Sequence, residues 1–358
     1  MKTKLGNYLQ LRRDDCAVIM ASFVIIALAT TALRAIGSEA QPLDSGLANI
    51  LFYFSNFPLV LLVQYVVLLF IYKPDSPFRF VYQSEAIRAF LPQLGAALVV
   101  IAALSLFMPA FTAVKSAIPL FNEYDWDATF IAWDVALHGQ DAWRVLQPLV
   151  GYPLVTSILS YLYHAWFMLI YIGPICVALY VADRELRLRF FFGFLLTWTL
   201  VGMVGAVMFA SVGPVFLEPI MGNDRFAEQM AYLNAANEQH SVLVLEVQRM
   251  LLEWYQEGDY GLGRGLSAMP SMHVALAMLY FLMARQINRW LGWAFFAFLV
   301  VIMIGSVHLA YHYAVDGYVS ILATLAIWWV TKPLARMVLR PRESAPATVV
   351  PGTVGAAA

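Results

Sequence analysis

Long apolar segments recur along this chain and limit what it can fold into. A helix needs about 20 apolar residues to cross the hydrocarbon core of a bilayer. Segments of this kind occupy residues 16–33, 50–72, 90–111, 153–181, 190–212, 271–284, 291–311 and 317–330. Because lipid cannot satisfy backbone hydrogen bonds, each segment is expected to be helical. The sequence therefore predicts an all-α, polytopic integral membrane bundle with about eight transmembrane helices.

The charged residues support a membrane protein and exclude one class of partner. Only 13% of the residues are charged, compared with about 25% in soluble domains. The net charge is −1 and no basic patch stands out, so nucleic acid is not expected as a partner. Cys16 and Cys176 both lie in apolar segments and are interpreted as small hydrophobic residues rather than a disulfide or metal pair.

The distribution of Lys and Arg predicts the orientation of the spans. With the N-terminus in the cytoplasm and the spans alternating, most of the 22 Lys and Arg residues fall in cytoplasmic segments, as the positive-inside rule requires. The exceptions, in outer segments, are Arg34, Lys115, Arg144, Arg225, Arg249 and Arg264. Both termini are therefore expected in the cytoplasm. The membrane is expected to be a plasma or inner membrane. The first apolar segment is long and is interpreted as a retained anchor rather than a cleaved signal peptide.

Changes in composition divide the chain into expected regions. Trp126, Trp133 and Trp143 stand among acids in one outer segment, a mixture typical of a membrane interface. A helical pattern near residues 225–256 predicts a helical outer loop. The expected regions are N-terminal transmembrane helices (1–112), an interfacial outer segment (113–152), a transmembrane core (153–332) with its outer loop (215–266), and a disordered cytoplasmic tail (333–358).

Two groups of polar residues lie before the apolar segment 291–311 and at its downstream end. Upstream, Ser271 and His273 follow Pro270; downstream, His308, His312 and Asp316 are spaced four residues apart. On a continuous helix this spacing places the three downstream side chains along one face. The predicted topology brings both groups to the outer surface, where the segment 190–212 ends at Gly213-Pro214. Ionisable groups beside hydrocarbon are costly, which favours a functional reason for them.

These residue types suit phosphoryl transfer. Proline is common in the first turn of a helix, and the free N–H groups there attract an anion, to which the Ser271 hydroxyl adds a donor. A histidine can attack phosphorus while a carboxylate holds its other nitrogen, and a second histidine can protonate the departing oxygen. His312 with Asp316 fits the first role, and His273 fits the second.

Pro270-Ser271-Met272-His273 followed by His312-Tyr313-Ala314-Val315-Asp316 resembles the type 2 phosphatidic acid phosphatase superfamily. The His-Tyr-x-x-Asp form is similar to the branch that contains inositol phosphorylceramide synthases and sphingomyelin synthases. The resemblance covers residues 190–330 and implies a six-helix catalytic core, a phosphohistidine intermediate and no metal or other cofactor. It implies that His312 is the nucleophile, Asp316 its partner and His273 the proton donor.

The chain departs from the phosphatase branch at its cations. That branch has a Lys-x6-Arg-Pro motif where this chain has the segment 210–214, and a Ser and an Arg where it has Gly305 and Ser306. The missing cations favour the phosphotransferase branch and require another positive charge for the phosphate. Arg264 is the first candidate, followed by the outer Arg144, Arg225 and Arg249. Ser271, His308, Gly213 and Pro214 complete the expected phosphate-binding set, and a structural hydrogen bond is an equally good interpretation of His308.

We therefore expect a membrane enzyme that transfers or hydrolyses a lipid-linked phosphoester at the outer leaflet, with an alcohol or water as acceptor. A plain lipid phosphate phosphatase is the alternative within the same chemistry. A metal-dependent hydrolase would use His308, His312 and Asp316 as zinc ligands, which leaves Pro-Ser-x-His unexplained. A transporter with a proton-relaying histidine pair would place its ionisable groups near the midplane, in repeated halves, and the sequence shows neither feature.

Overall fold

The computed structural model describes residues 2–40, 46–258 and 265–339, and every regular element in these ranges is a helix. The first part of the chain forms α1 (Lys2–Ala35), α2 (Gly46–Tyr72), α3 (Pro77–Gln83), α4 (Glu85–Ser116), α5 (Ile118–Phe121) and α6 (Asp127–His138). The middle part forms α7 (Ala142–Val150), α8 (Pro153–His164), α9 (Phe167–Tyr180) and α10 (Arg184–Leu196), which continues through a π-helical segment (Thr197–Gly205) into α11 (Ala206–Met208). The last part forms α12 (Pro214–Met221), α13 (Ala227–Gln239), α14 (Val244–Glu257), α15 (Met272–Ile287), α16 (Arg289–His308) and α17 (Ala314–Leu339). The prediction of an all-α protein is confirmed.

Within the described ranges, 6 helical stretches are long and apolar enough to cross a membrane, or up to 7 if one bent pair counts as a span. The 6 are Asp14–Ala35, Gly46–Tyr72, Phe90–Ser116, Arg184–Met208, Arg289–His308 and Ala314–Leu339, and the bent pair is α7 with α8, at 114°. The chain is thus a polytopic helical membrane protein, with fewer full-length spans than the predicted eight. The expected span 153–181 is broken between α8 and α9, and α15 has 16 residues, about 24 Å of helix.

The buried centre of the bundle is α15. From Val274 to Ala284 every residue except Phe281 is buried, and the helix packs against α10, α16, α17 and the π-helical segment. A helix that is apolar on all sides must be surrounded by other helices or by lipid, and α15 is surrounded by helices. The first turn of α15, which carries His273, is therefore held in a rigid environment.

The N-terminal helices pack on one side of this core. Helix α1 contacts α4 and α10, and α2 contacts α4 and α9. Two ion pairs tie α1 to the start of α10: Arg184 Nε lies 2.6 Å from Asp14 Oδ2, and Arg187 pairs with Asp15, where both side chains are 3% exposed. Most of α2 faces outward with exposed apolar side chains, as a lipid-facing helix does.

Helices α12, α13 and α14 cover the end of the bundle where α16 stops. The expected helix at 225–256 is two helices, interrupted between Gln239 and Val244. Gln229 Nε2 donates to the carbonyl of Val307 at 2.8 Å, and Gln248 Nε2 donates to the carbonyl of Leu309 at 2.8 Å. Carbonyls at the C-terminal end of a helix need such donors because the helix itself supplies none.

The C-terminal helix reaches further than the sequence indicates. Helix α17 runs to Leu339, so residues 333–339 of the expected tail are helical, and residues 340–358 lie outside the described part of the chain.

Candidate active site

The break between α16 and α17 positions His312. Helix α16 ends at His308 and α17 begins at Ala314. In between, Ala310 adopts φ +62°, a left-handed conformation that costs about 1 kcal/mol for a residue with a Cβ. The amide of His312 then returns to the carbonyl of Ser306 at 3.0 Å. The expectation of one continuous helical face for His308, His312 and Asp316 is therefore wrong, because the chain leaves the helix after His308.

His312 and Asp316 remain neighbours despite the break. Asp316 lies in the first turn of α17 and is fully buried, and its Oδ2 is 3.2 Å from His312 Nδ1. The same oxygen accepts a hydrogen bond from the amide of Tyr313 at 3.1 Å. The N-terminal end of a helix favours negative charge. With Nδ1 engaged by Asp316, the Nε2 atom of His312 is the ring nitrogen left for chemistry.

His273 lies in the first turn of α15, directly after the predicted helix start. Ser271 is the N-cap, and its hydroxyl accepts from the amide of Val274 at 3.5 Å. The amide of Ser271 donates to the carbonyl of Asp316 at 3.5 Å, which joins the two motifs. The His273 ring stacks against Trp166, with centroids 4.0 Å apart, and against Tyr163 at 4.3 Å.

The two histidines face one cavity of about 380 Å³. Their ring centroids are 6.0 Å apart and their planes meet at 64°, which is close enough for one phosphate group to contact both. Besides His273 and His312, the polar lining includes His164 and Lys115, and none of the described residues that line the cavity is Asp or Glu. The remaining walls are mostly aromatic and aliphatic.

The sequence also matches a known protein family. Residues 128–330 match the family model of the PAP2 superfamily. The chain belongs to the PAP2 superfamily. The match starts in α6, earlier than the expected residue 190, and includes both histidine motifs, while α1 to α5 precede it. Superfamily membership makes this PAP2 protein a membrane enzyme of the phosphatase or phosphotransferase type that acts on lipid phosphoesters. No curated protein and no solved structure matches the chain.

Two buried acids on α6 hold the backbone of this PAP2 site. Asp127 accepts hydrogen bonds from the amides of Val212 and Gly213, each at 2.9 Å. Asp134 accepts from the amides of Ala314 and Val315 at 2.9 Å, at the start of α17. Burial raises the pKa of Asp134, and these two hydrogen bonds oppose the rise.

The sequence predicts that the acids of 113–152 lie in an outer segment at the membrane interface. Asp127 and Asp134 are instead only 3% and 4% exposed. Their separation of seven residues, two turns on one helical face, is the signal that could have identified them.

Gly213 and Pro214 shape the PAP2 site without lining its cavity. Gly213 adopts φ +86°, and a Cβ there would lie 2.8 Å from the carbonyl oxygen of Tyr311 and 3.0 Å from Cβ of Ala268. Only glycine fits both the conformation and the close approach. Pro214 begins α12, and the amide of Val215 donates to the carbonyl of Ala310 at 2.9 Å. This turn therefore packs against the backbone of the segment that leads to His312.

Three of the four arginines expected to bind the phosphate lie outside the cavity lining. Arg225 Nε is 2.9 Å from Asp141 Oδ1, Arg144 Nη2 is 2.6 Å from Glu228 Oε2, and Arg249 faces Glu253 at 3.8 Å. None of these three arginines lines the cavity. Arg264, the first candidate, lies outside the described residues.

His308 occupies a separate polar cluster. It is 1% exposed, its Nε2 lies 2.9 Å from Thr156 Oγ1, and Thr156 Oγ1 lies 2.7 Å from the hydroxyl of Tyr232. His308 is not part of the cavity lining, so the hydrogen-bonding interpretation fits its surroundings and the phosphate contact does not. Across the described ranges no group of three or more His, Cys, Asp or Glu side chains is arranged to hold a metal ion. The zinc hypothesis built on His308, His312 and Asp316 thus has no matching geometry.

Proposed function

We propose that this PAP2 protein is a lipid phosphotransferase or phosphohydrolase that works through a phosphohistidine at His312. One observation carries the proposal: a His312–Asp316 pair and His273 border the same cavity, whose described lining holds no carboxylate. A negatively charged phosphoester is favoured in such a site, since acids would repel it. Asp316 stays behind His312, where it contacts the ring rather than the substrate.

In the first step, the Nε2 lone pair of His312 attacks the phosphorus atom. The bond between phosphorus and the leaving alcohol breaks, and His273, as the imidazolium, gives its proton to the alcohol oxygen. Asp316 accepts the Nδ1–H of His312 and stabilises the positive charge that develops on the ring. The products of this step are the free alcohol, phosphorylated His312 and neutral His273.

In the second step, an acceptor hydroxyl attacks the phosphohistidine. Neutral His273 takes the proton of the acceptor, the phosphorus–nitrogen bond breaks, and His312 regains its lone pair. A lipid alcohol or polyol as acceptor gives a phosphodiester or a new phosphoester, and water gives free phosphate. Both histidines return to their starting states, so the cycle requires no cofactor.

The walls of the cavity suit a lipid substrate. Besides the histidines, the lining includes Phe111 on α4, Ile170 and Tyr171 on α9, and Phe52 on α2. Phe52 is 47% exposed on the lipid-facing helix. Acyl chains in this cavity would be in contact with apolar side chains and with the bilayer.

Within the superfamily, we favour the branch similar to inositol phosphorylceramide synthases and sphingomyelin synthases. The His-Tyr-x-x-Asp form at His312–Asp316 supports this choice, as does Ser306, which stands where the phosphatase branch has an arginine. The proposal includes an outer-leaflet site in a plasma or inner membrane with both termini cytoplasmic, supported by the positive-inside distribution of Lys and Arg.

Purified protein incubated with native lipid extracts tests the proposal by mass spectrometry of the products. A phosphodiester product identifies a transferase, and a free alcohol with inorganic phosphate identifies a phosphatase. His312→Ala should abolish turnover and phosphohistidine labelling, while His240→Ala, at an exposed histidine in the outer loop, should behave like the wild type. Full turnover by a folded His312→Ala variant would refute the mechanism.

A further inference from the structure

The phosphate in the proposed reaction carries negative charge, yet the arginines described around the site are paired elsewhere. Arg144, Arg225 and Arg249 each contact an acid, and Ser306 replaces the arginine expected from the phosphatase branch. A phosphoryl group taken from water into an apolar cavity needs a positive partner to offset its desolvation. The cavity lining supplies one candidate, Lys115.

Lys115 lies in the last turn of α4, before the region that matches the superfamily. Its side chain lines the same cavity as His273 and His312, and it is the sole Lys or Arg among the described lining residues. No acid in the described part of the chain forms an ion pair with it. An ammonium group in an apolar cavity without a carboxylate is costly unless an anion binds there.

The backbone of Lys115 packs closely against the loop that leads into the Pro-Ser-x-His motif. Gly265 adopts φ +84°, and a Cβ at Gly265 would lie 2.6 Å from the carbonyl oxygen of Lys115. A few residues further, Pro270, Met272 and His273 also line the cavity. The end of α4 and the loop before α15 thus lie against each other beside the same cavity.

A helix C-terminus by itself attracts cations, since its carbonyls carry partial negative charge. That attraction explains a lysine in the last turn of α4 but not its direction, because an exposed side chain would gain the same benefit in solvent. Lys115 instead lines the cavity that the two histidines and the aromatic side chains also line.

We propose that Lys115 binds the phosphate oxygens of the lipid substrate and replaces the cations that this chain lacks at 210–214 and at Ser306. This inference rests on the proposed phosphoryl transfer at His312 and adds a phosphate-binding residue from a helix outside the superfamily match. The ammonium group neutralises charge on the phosphoryl oxygens while His312 attacks. It is a compact positive charge that also donates hydrogen bonds to these oxygens.

Lys115→Met tests the inference because methionine keeps a long, flexible side chain and removes only the charge. A charge-assisted hydrogen bond contributes enough that its loss should lower kcat/KM about 10- to 100-fold. Lys115→Arg should stay within about tenfold of the wild type, since it keeps the charge. Lys332→Met, at an exposed lysine near the far end of α17, is the matched control and should leave kcat/KM unchanged.

Orthovanadate, a mimic of the phosphoryl group, provides a readout that does not depend on lipid turnover. Its effect on the melting temperature should be lost in Lys115→Met and kept in Lys332→Met. In the absence of orthovanadate, Lys115→Met should melt at or above the wild-type temperature, because it removes an unpaired charge from an apolar cavity.

The outcomes separate this inference from the proposed function. Wild-type kcat/KM and wild-type orthovanadate stabilisation in Lys115→Met would overturn the phosphate-binding role alone, provided His312→Ala is inactive. A lower melting temperature in Lys115→Met, with Lys115→Arg equally impaired, would show a structural role instead. Wild-type protein that turns over no lipid phosphoester and labels no histidine would refute the proposed function, while the orthovanadate measurement would still decide whether Lys115 binds an anion.

Discussion

The hydroxyl of Tyr313 donates a hydrogen bond to Asp127 Oδ1 at 2.8 Å, across 186 residues of sequence. Burial and the nearby carboxylate of Asp127 raise the pKa of Tyr313, so the phenol keeps its proton and acts as the donor. The same carboxylate accepts hydrogen bonds from the amides of Val212 and Gly213. One acid therefore links the α6 helix, the turn before α12 and the segment that carries His312.

Asp127→Asn tests this link. The amide keeps one acceptor but turns an NH₂ group toward donors, so at least one buried N–H or O–H loses its partner. We expect a loss of about 2–3 kcal/mol of stability and lower kcat, measured by thermal unfolding in detergent and by turnover. Asp125→Asn, at an exposed acid nearby, is the control and should change neither value. Equal stability of the two variants would contradict the bridging role of Asp127.

Asp316→Asn addresses the proposed orienting role at the reactive histidine. Asparagine preserves the shape of the side chain but removes the charge that faces Nδ1 of His312. Loss of a catalytic proton partner typically reduces rate by about 10²- to 10⁴-fold, and we expect this reduction in kcat with a nearly unchanged KM. Phosphohistidine formation, followed by rapid quenching, should slow by the same factor. Asp75→Asn, at an exposed acid between α2 and α3, serves as the control. An unaffected labelling rate in Asp316→Asn would exclude the orienting role of Asp316.

His308→Ala distinguishes a structural histidine from a substrate-binding one. The replacement leaves Thr156 Oγ1 without its ring partner and opens a void at a side chain that is 1% exposed. We expect about 2–4 kcal/mol of destabilisation, with turnover per folded molecule within about tenfold of the wild type. Thr156→Val, which removes the other member of the hydrogen bond, should behave in the same way. Complete loss of turnover in a stable His308→Ala protein would contradict this assignment.

The part of the site that the sequence predicted depends on short-range geometry. His312 and Asp316 are four residues apart, and this spacing brings them together because His312 lies two residues before α17 and Asp316 lies in its first turn. The start of α15 at Ser271 follows from capping chemistry, which is also local. The same spacing gave a wrong position for His308, because Ala310 adopts a left-handed conformation and redirects the chain. No local sequence pattern predicts that change.

Long-range contacts account for what the sequence did not predict. Asp127 and Asp134 reach residues more than 80 positions away. Lys115 lines the same cavity as His273 and His312 because α4 packs against α9 and the π-helical segment. The number of full-length spans is lower than the predicted eight for a tertiary reason as well. Buried helices such as α15 have neighbours in place of lipid, so their apolar length does not have to match the bilayer.

Gly213→Ala examines the turn that supports the His312 segment. The φ of +86° alone costs about 1 kcal/mol for alanine, and a Cβ would press against the carbonyl of Tyr311 at 2.8 Å. Gly222→Ala is a matched control, because Gly222 has φ +69° and a Cβ there would meet no described atom within 4 Å. We expect Gly213→Ala to lose clearly more stability and turnover than Gly222→Ala. Equal effects would mean that the turn does not constrain the active segment.

The ion pairs between α1 and α10 predict an effect on stability that leaves chemistry intact. Asp15→Asn removes the partner of Arg187, and both side chains are 3% exposed, so a buried guanidinium loses its counter-charge. Breaking a buried pair in this way costs about 3–5 kcal/mol.

Glu185→Gln breaks an exposed pair instead, in which Arg336 is 58% exposed, and should cost less than about 1 kcal/mol. Thermal unfolding in detergent measures both, and the kcat of folded Asp15→Asn should match the wild type because neither Asp15 nor Arg187 lines the cavity. A wild-type melting temperature for Asp15→Asn would show that α1 is not anchored through Arg187.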